Sequence, residues 1–80
     1  MDHAGILVRL TEMFREIFDD DALTLTPNTA AADVPGWDSM NHITVVVEAE
    51  RRFGVKFHTT EIEELRNVGE FLTLIAKKTG

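Results

Sequence analysis

Ser39 is the residue of this sequence best placed to take part in chemistry. It is the only serine in the chain, and it lies in the run Pro35-Gly36-Trp37-Asp38-Ser39-Met40, where two helix-breaking residues precede a helix-capping residue. The first turn of a helix combines unpaired backbone N–H groups with the positive end of the helix dipole, and both favour a phosphate. This placement predicts a site at which an outside enzyme attaches a phosphoryl group. The simpler interpretation is that Asp38 or Ser39 only caps a helix.

Other kinds of reactive site find little support in the sequence. His42 follows Ser39 by about one helical turn, but no acidic residue is clearly placed to orient it as the base of a serine hydrolase. His3 and His58 lack the spacing of metal ligands, and Asp19-Asp20-Asp21 lacks the glycine and alternating ligands of a calcium loop. The absence of Cys excludes disulfides, thiolate zinc sites and a cysteine nucleophile. We therefore expect no catalytic residue and no metal site.

The composition is that of one small acidic domain, which we place at residues 1–80. Of these 80 residues 44% are hydrophobic and 28% are charged, as in ordinary globular proteins. Fourteen acidic and eight basic residues give a formal net charge of −6, which disfavours nucleic acid and anionic lipid and favours partners with basic patches. No apolar stretch is long enough to span a membrane, and the first ten residues do not resemble a signal peptide. We expect a monomeric, cytoplasmic protein.

The spacing of hydrophobic residues predicts the helices that must position Ser39. One apolar stripe runs through residues 4–18 and indicates a helix that Asp2 could cap. A second helix of about fifteen residues is predicted between Asp38 and Gly54, with Met40, Ile43, Val46, Val47 and Phe53 as its apolar stripe. Its run of β-branched residues at 43–47 favours a strand locally, but the cap and the spacing favour a helix.

Two shorter features complete the predicted fold. Residues 20–37 show no periodicity, and their apolar residues predict an ordered loop lying across the bundle. A brief helix at 61–65, capped by Thr59 or Thr60, precedes a last helix that begins at Asn67. The sequence therefore predicts an all-α protein, a small four-helix bundle of three longer helices and one short helix, with a long loop between helices 1 and 2.

Several of these segments resemble acyl carrier proteins. The run 36–43, Gly-Trp-Asp-Ser-Met-Asn-His-Ile, resembles the Asp-Ser-Leu attachment motif of that family, with Met40 in place of the commoner Leu. The resemblance covers nearly the whole chain. It includes the amphipathic first helix, Leu25-Thr26-Pro27 in the loop, Phe53-Gly54-Val55 after an acidic stretch, and Asn67-Val68-Gly69-Glu70-Phe71 at the start of the last helix.

This resemblance implies a carrier that is not an enzyme. Ser39 would hold 4′-phosphopantetheine, transferred from coenzyme A by a separate Mg²⁺-dependent phosphopantetheinyl transferase. The thiol of that arm would carry an acyl group as a thioester, so that the reactive sulfur arrives with the cofactor. The carrier would present its cargo to enzymes that load, elongate and transfer acyl groups in fatty-acid, polyketide or related synthesis.

The resemblance also implies a docking surface and a cavity for the acyl chain. Partner enzymes with basic patches would bind the second helix, where Asp38, Glu48 and Glu50 fit the acidic role and Met40 offers an apolar contact. Asn41 and Thr44 are neutral where the family is often acidic, which favours a dedicated set of partners. The candidates for the lining of the acyl cavity, each of which plain core packing would also explain, are Ile43, Val47, Ile62, Leu65 and Leu72.

Two alternatives from other classes stay open at this point. An aminoacyl or peptidyl carrier would share the attachment serine and the fold. A helical protein-interaction module without a cofactor would share only the fold.

Overall fold

The structure, a computed structural model, describes residues 2–79, without the side chain of Ser39. Its helices are α1 (His3–Ile17), α2 (Ser39–Phe53), α3 (Thr59–Glu63) and α4 (Val68–Thr79), and a 3₁₀ turn at Ala31–Asp33 interrupts the long loop. The predicted all-α fold of three longer helices and one short helix is therefore confirmed. No helix within the described residues is long and apolar enough to cross a membrane.

Helix α1 is the central element and packs against both α2 and α4. It begins as predicted, because the Asp2 carboxylate accepts a hydrogen bond of 2.8 Å from the backbone N–H of Gly5. Its buried residues lie three or four positions apart along one face. They meet the buried face of α4 in one core, and the buried residues of the two helices are Ile6, Leu10, Met13, Phe14, Val68, Phe71, Leu72 and Ile75.

Helix α2 contains the β-branched run and is nevertheless helical from end to end. Asp38 caps its N-terminus, and Gly54 ends it in the left-handed conformation at φ 67°. The predicted apolar stripe is partly wrong. Val46 is buried and Phe53 is partly buried as expected, but Met40, Ile43 and Val47 are exposed, and Val45 and Ala49 are buried in their place. The four apolar side chains among residues 43–47 point to several sides of the helix. The rest of the bundle covers only the side that bears Val45 and Val46.

The loop between α1 and α2 is ordered, as expected from its apolar residues. Leu23, Leu25, Val34 and Trp37 are all buried in the core. The middle of the loop is also hydrogen-bonded to the start of α4. The Gly69 N–H donates to the Pro27 carbonyl oxygen at 2.8 Å. A Cβ at position 69 would lie only 2.8 Å from that oxygen, so this close approach requires glycine.

Helix α3 begins two residues earlier than predicted. Its N-terminal cap is His58 rather than Thr59 or Thr60, and the His58 N–H donates to Glu61 Oε1 at 2.8 Å. The same carboxylate pairs with Lys78 of α4 at 3.0 Å. The prediction missed this start because His is not among the usual capping residues, whereas Thr59 and Thr60 are. Helix α4 follows Asn67 as predicted, with Asn67 Oδ1 accepting from the Glu70 N–H at 2.8 Å.

The contacts of Glu61 predict a pH-dependent contribution to stability. The hydrogen bond from the His58 amide, followed by the ammonium of Lys78, holds the pKa of Glu61 below its usual value of 4.5. Because the folded state favours the ionised form, this contribution is complete above the unfolded pKa and is lost as the pH falls through the folded pKa. Glu61→Gln should lower the free energy of unfolding at about pH 7, and the difference from the original protein should shrink below about pH 4.

Urea unfolding at a series of pH values measures this difference. The matched control is Glu63→Gln, which removes an exposed carboxylate from the same short helix. A difference between the original protein and Glu61→Gln that stays constant down to about pH 2 would contradict the assignment.

Candidate functional site

Ser39 is the first residue of α2 and directly follows the N-terminal cap Asp38. The residues around it along the chain lie at the surface. Pro35, Gly36 and Asp38 are exposed, and the side chain of Met40 is 82% exposed. The helix therefore begins at the periphery of the bundle, where an enzyme can approach its first turn.

Asp38 satisfies part of the N-terminus of α2. Its Oδ1 accepts hydrogen bonds from the Met40 N–H at 3.1 Å and the Asn41 N–H at 2.9 Å. The expectation of unpaired N–H groups beside Ser39 is therefore wrong for these two donors. A phosphate at Ser39 would lie beside the Asp38 carboxylate, which already binds two N–H groups of the first turn. The helix end would therefore attract the phosphate less strongly than an uncapped helix end would.

The turn before Ser39 is held by side chains on both sides of it. Asn41 Nδ2 donates to the Gly36 carbonyl oxygen at 2.6 Å, and Gly36 adopts a positive φ of 90° that favours glycine. Trp37 is buried, and its ring packs edge-on against Phe14 of α1 with centroids 5.1 Å apart.

His42 is engaged through both of its ring nitrogens. The indole N–H of Trp37 lies 3.0 Å from Nδ1, and Nε2 lies 3.4 Å from the carbonyl oxygen of Ile62. The two rings also stack, with an interplanar angle of 26°. Both ring nitrogens of His42 are therefore directed at groups of the protein itself.

The acidic docking residues expected on α2 mostly bind groups of the protein itself. Glu48 pairs with Arg51 at 3.6 Å and with Arg52 at 3.1 Å. The Oε2 atom of Glu50 accepts a hydrogen bond of 2.8 Å from the Phe57 N–H, and both glutamates are only partly exposed. Structural contacts therefore occupy both carboxylates, and Asp38 and Met40 are the more exposed members of the expected set.

Arg52 is likewise held within the protein. Its guanidinium binds the carboxylates of Glu16 and Glu48. The hydrogen bond to Glu16, more than that to Glu48, raises the pKa of Arg52 above its ordinary value. Arg51 differs, since 77% of its side chain is exposed. The basic end of α2 therefore presents chiefly Arg51 to a partner.

Three apolar side chains project from α2 into solvent. Met40, Ile43 and Val47 are 82%, 63% and 53% exposed, and their spacing of three and four places them on one side of the helix. We call these residues the α2 apolar face. Met40 was expected at the surface, whereas Ile43 and Val47 were expected to line a cavity, although their spacing from Met40 was a signal that all three share one side of the helix.

The five residues expected to line an acyl cavity do not lie together. Ile43 and Val47 belong to the exposed α2 apolar face, and Ile62 is half-buried on α3. Leu65 and Leu72 do line one cleft of about 840 Å³, which lies between the start of α1, the loop, α3 and α4. Other apolar residues of that cleft are Ala4, Leu7, Pro27 and Leu74.

A family model described as "Phosphopantetheine attachment site" matches residues 8–75, which include Ser39 and all of α2. The chain belongs to this family. This result confirms the predicted carrier family and its covalent 4′-phosphopantetheine group, and it confirms that the protein is a carrier and not an enzyme.

Individual relatives agree with this assignment. The chain is 32% identical over 74 residues to an acyl carrier protein of Acidothermus cellulolyticus, covering 92% of this chain and 88% of that protein. It is 28% identical over 75 residues to an acyl carrier protein of Thermotoga maritima, covering 94% of this chain and 93% of that protein. The solution structure of a holo acyl carrier protein from Geobacter metallireducens is similar, with 42% identity and a TM-score of 0.84. That match covers 90% of this chain and 83% of the solved one.

The capping role of Asp38 can be separated from its charge. Asp38→Ala removes the acceptor of two helix N–H groups and should lower the free energy of unfolding by about 1 kcal/mol. Asp38→Asn keeps a capping oxygen without the charge and should stay within a few tenths of a kcal/mol of the original protein. Urea unfolding at about pH 7 measures both variants. Equal losses in both would show that the charge matters more than the cap.

Proposed function

We propose that Ser39 carries the 4′-phosphopantetheine group and that the protein presents acyl thioesters on this arm to biosynthetic enzymes. The observation that carries the proposal is the position of Ser39 at the exposed start of α2, inside the segment that matches the attachment family. The exposure of Asp38 and Met40 leaves room for a long flexible arm to leave the surface there. The site therefore fits the group.

The proposed loading step is a transfer of a phosphoryl group to a serine. The Ser39 hydroxyl oxygen forms a bond to the phosphorus of coenzyme A that is nearer to pantetheine. The bond from that phosphorus to the bridging oxygen breaks, adenosine 3′,5′-bisphosphate leaves, and the hydroxyl proton passes to the transferase or to solvent. When bound, the group supplies a thiol that holds an acyl chain as a thioester. Asp38, Asn41 and Trp37 hold the turn that presents Ser39 to the transferase.

Loading with coenzyme A tests Ser39 directly. Incubation with a broad-specificity phosphopantetheinyl transferase, Mg²⁺ and coenzyme A should add the mass of one phosphopantetheinyl group, and Ser39→Ala should abolish this gain. The matched control is Thr44→Ala, which removes another hydroxyl from α2 and should leave the gain unchanged. Intact-protein mass spectrometry reads the result. A gain that survives in Ser39→Ala would overturn the assignment.

The partners of such a carrier are the transferase and enzymes that load, elongate or transfer acyl groups. We propose that they dock on α2 around Asp38 and the α2 apolar face, with Glu48 and Glu50 at its side. The exposure of Met40, Ile43 and Val47 supports apolar contacts, since all three carboxylates make contacts within the protein. Exposed charges steer the encounter more than they add affinity.

This docking surface predicts a change in KM. The double variant Ile43→Ser and Val47→Ser removes apolar area beside the attachment residue, and we expect the transferase KM for the carrier to rise about tenfold, or about 1.4 kcal/mol. Val8→Ser is the matched control, because Val8 is 58% exposed but lies on α1. Steady-state loading kinetics provide the measurement. An unchanged KM in the double variant, or an equal rise in the control, would contradict the proposed surface.

Three further points complete the proposal. The cleft that holds Leu65 and Leu72 is the candidate shelter for the acyl chain, supported by its apolar lining. We place the protein in the cytoplasm as a monomer, and its net charge of −6 supports a monomer that does not bind nucleic acid. The second candidate function is an aminoacyl or peptidyl carrier, and competition between acyl-loading and aminoacyl-loading enzymes for the holo protein separates the two.

A further inference from the structure

We propose that His42 is a positioning residue for the loading of Ser39. It accepts the indole N–H of Trp37, in the turn that precedes Ser39, and it also reaches α3. The contact with Trp37 sets the orientation in which the first turn of α2 meets the transferase. The proposal rests on Ser39 as the attachment residue, and it concerns side chains that the docking surface described above does not include.

The hydrogen bonds of His42 select one tautomer of its imidazole ring. An indole N–H can only donate, so Nδ1 of His42 must accept the hydrogen bond from Trp37 at 3.0 Å. In a neutral imidazole the other nitrogen then carries the hydrogen, and Nε2–H faces the Ile62 carbonyl oxygen at 3.4 Å. One side chain of α2 therefore receives a hydrogen bond from the loop and directs a donor toward α3.

The contacts of His42 extend to three helices around the start of α2. Phe14 of α1 packs against Trp37, the Trp37 indole binds His42, and His42 reaches Ile62 of α3. Helix α3 has no fully buried residue among those described, so polar ties such as this one and the Glu61–Lys78 pair contribute much of its attachment. Removing the His42 tie should let the Trp37 turn and α3 move independently of α2.

Such a movement would affect the chemical step of loading more than binding. A nucleophilic hydroxyl must meet the phosphorus in a defined orientation, and a misplacement of about 1 Å can cost up to about a hundredfold in rate. The α2 apolar face does not include His42 and stays intact when the tie is broken. We therefore expect the effect in kcat rather than in KM.

Two substitutions of His42 test this role. His42→Phe keeps a planar ring but can neither accept from Trp37 nor donate to Ile62, and kcat for loading should fall about tenfold while KM changes less than about twofold. His42→Asn places an acceptor oxygen on Cγ, where Nδ1 was, and should recover most of the rate. If both variants load at the original rate, or if KM changes instead of kcat, the proposal is wrong.

The single tryptophan provides an independent readout. In His42→Phe the NMR signal of the indole N–H should shift, and its hydrogen should exchange faster with solvent. In His42→Asn both the chemical shift and the exchange rate should stay close to the original values. If His42→Phe does not fold, His42→Gln replaces it, since its terminal amide can reach Ile62 but leaves no acceptor at the Nδ1 position. We then expect His42→Asn to load faster than His42→Gln, and the reverse order would overturn the proposal.

Failure of this inference is distinguishable from failure of the proposed function. Loading of Ser39→Ala would overturn the attachment residue itself. Normal loading of the His42 variants, together with no loading of Ser39→Ala, would overturn only the positioning role.

Discussion

The buried Trp37 indole connects the end of the loop before Ser39 to α1 and to α2. A loop of about twenty residues has many conformations, and ordering it needs apolar anchors that offset the lost entropy. Trp37 is the last of these anchors and lies two residues before Ser39, packed against Phe14 and hydrogen-bonded to His42. The Trp37 ring therefore fixes where the end of the loop, and with it the start of α2, lies against α1.

The charges of α2 serve the fold as much as they serve recognition. Glu48 holds two arginines, Glu50 receives the Phe57 N–H, and the side chain of Asp38 caps the helix. The net charge of −6 still provides a long-range field that speeds encounters with basic partners. In the proposed docking, short-range discrimination would then come from the α2 apolar face. A carrier gains from this division, because it must leave one enzyme to reach the next.

The buried residues are unevenly distributed among the helices, and α3 is the helix least attached to the core. Helices α1 and α4 share most of the core, whereas α3 contributes no fully buried residue among those described. Segments with little buried apolar area open at a lower free energy than the rest of a protein. The cleft with Leu65 and Leu72 borders this weakly held segment. Its shape can therefore change without disruption of the core between α1 and α4.

The sequence by itself determined the features that depend on neighbouring residues. The starts of α1 and α2 at Asp2 and Asp38, the end of α2 at Gly54 and the apolar anchors of the loop all follow from caps and spacing within a few positions. The resemblance of the run around Ser39 also pointed to the family. These predictions succeeded because a cap needs only a side chain and the N–H groups of the next turn.

Only the tertiary structure decided which side of α2 is buried, how α3 is tied to α4 and which carboxylates remain available. Residues 43–47 offer apolar side chains in several directions, so the choice of Val45 and Val46 over Ile43 and Val47 depends on where the other elements lie. The pairing of Glu61 in α3 depends on Lys78 of α4, and the hydrogen bonding of Glu50 depends on the Phe57 amide. Each of these contacts joins residues beyond one helical turn, and the fold of the whole chain brings them together.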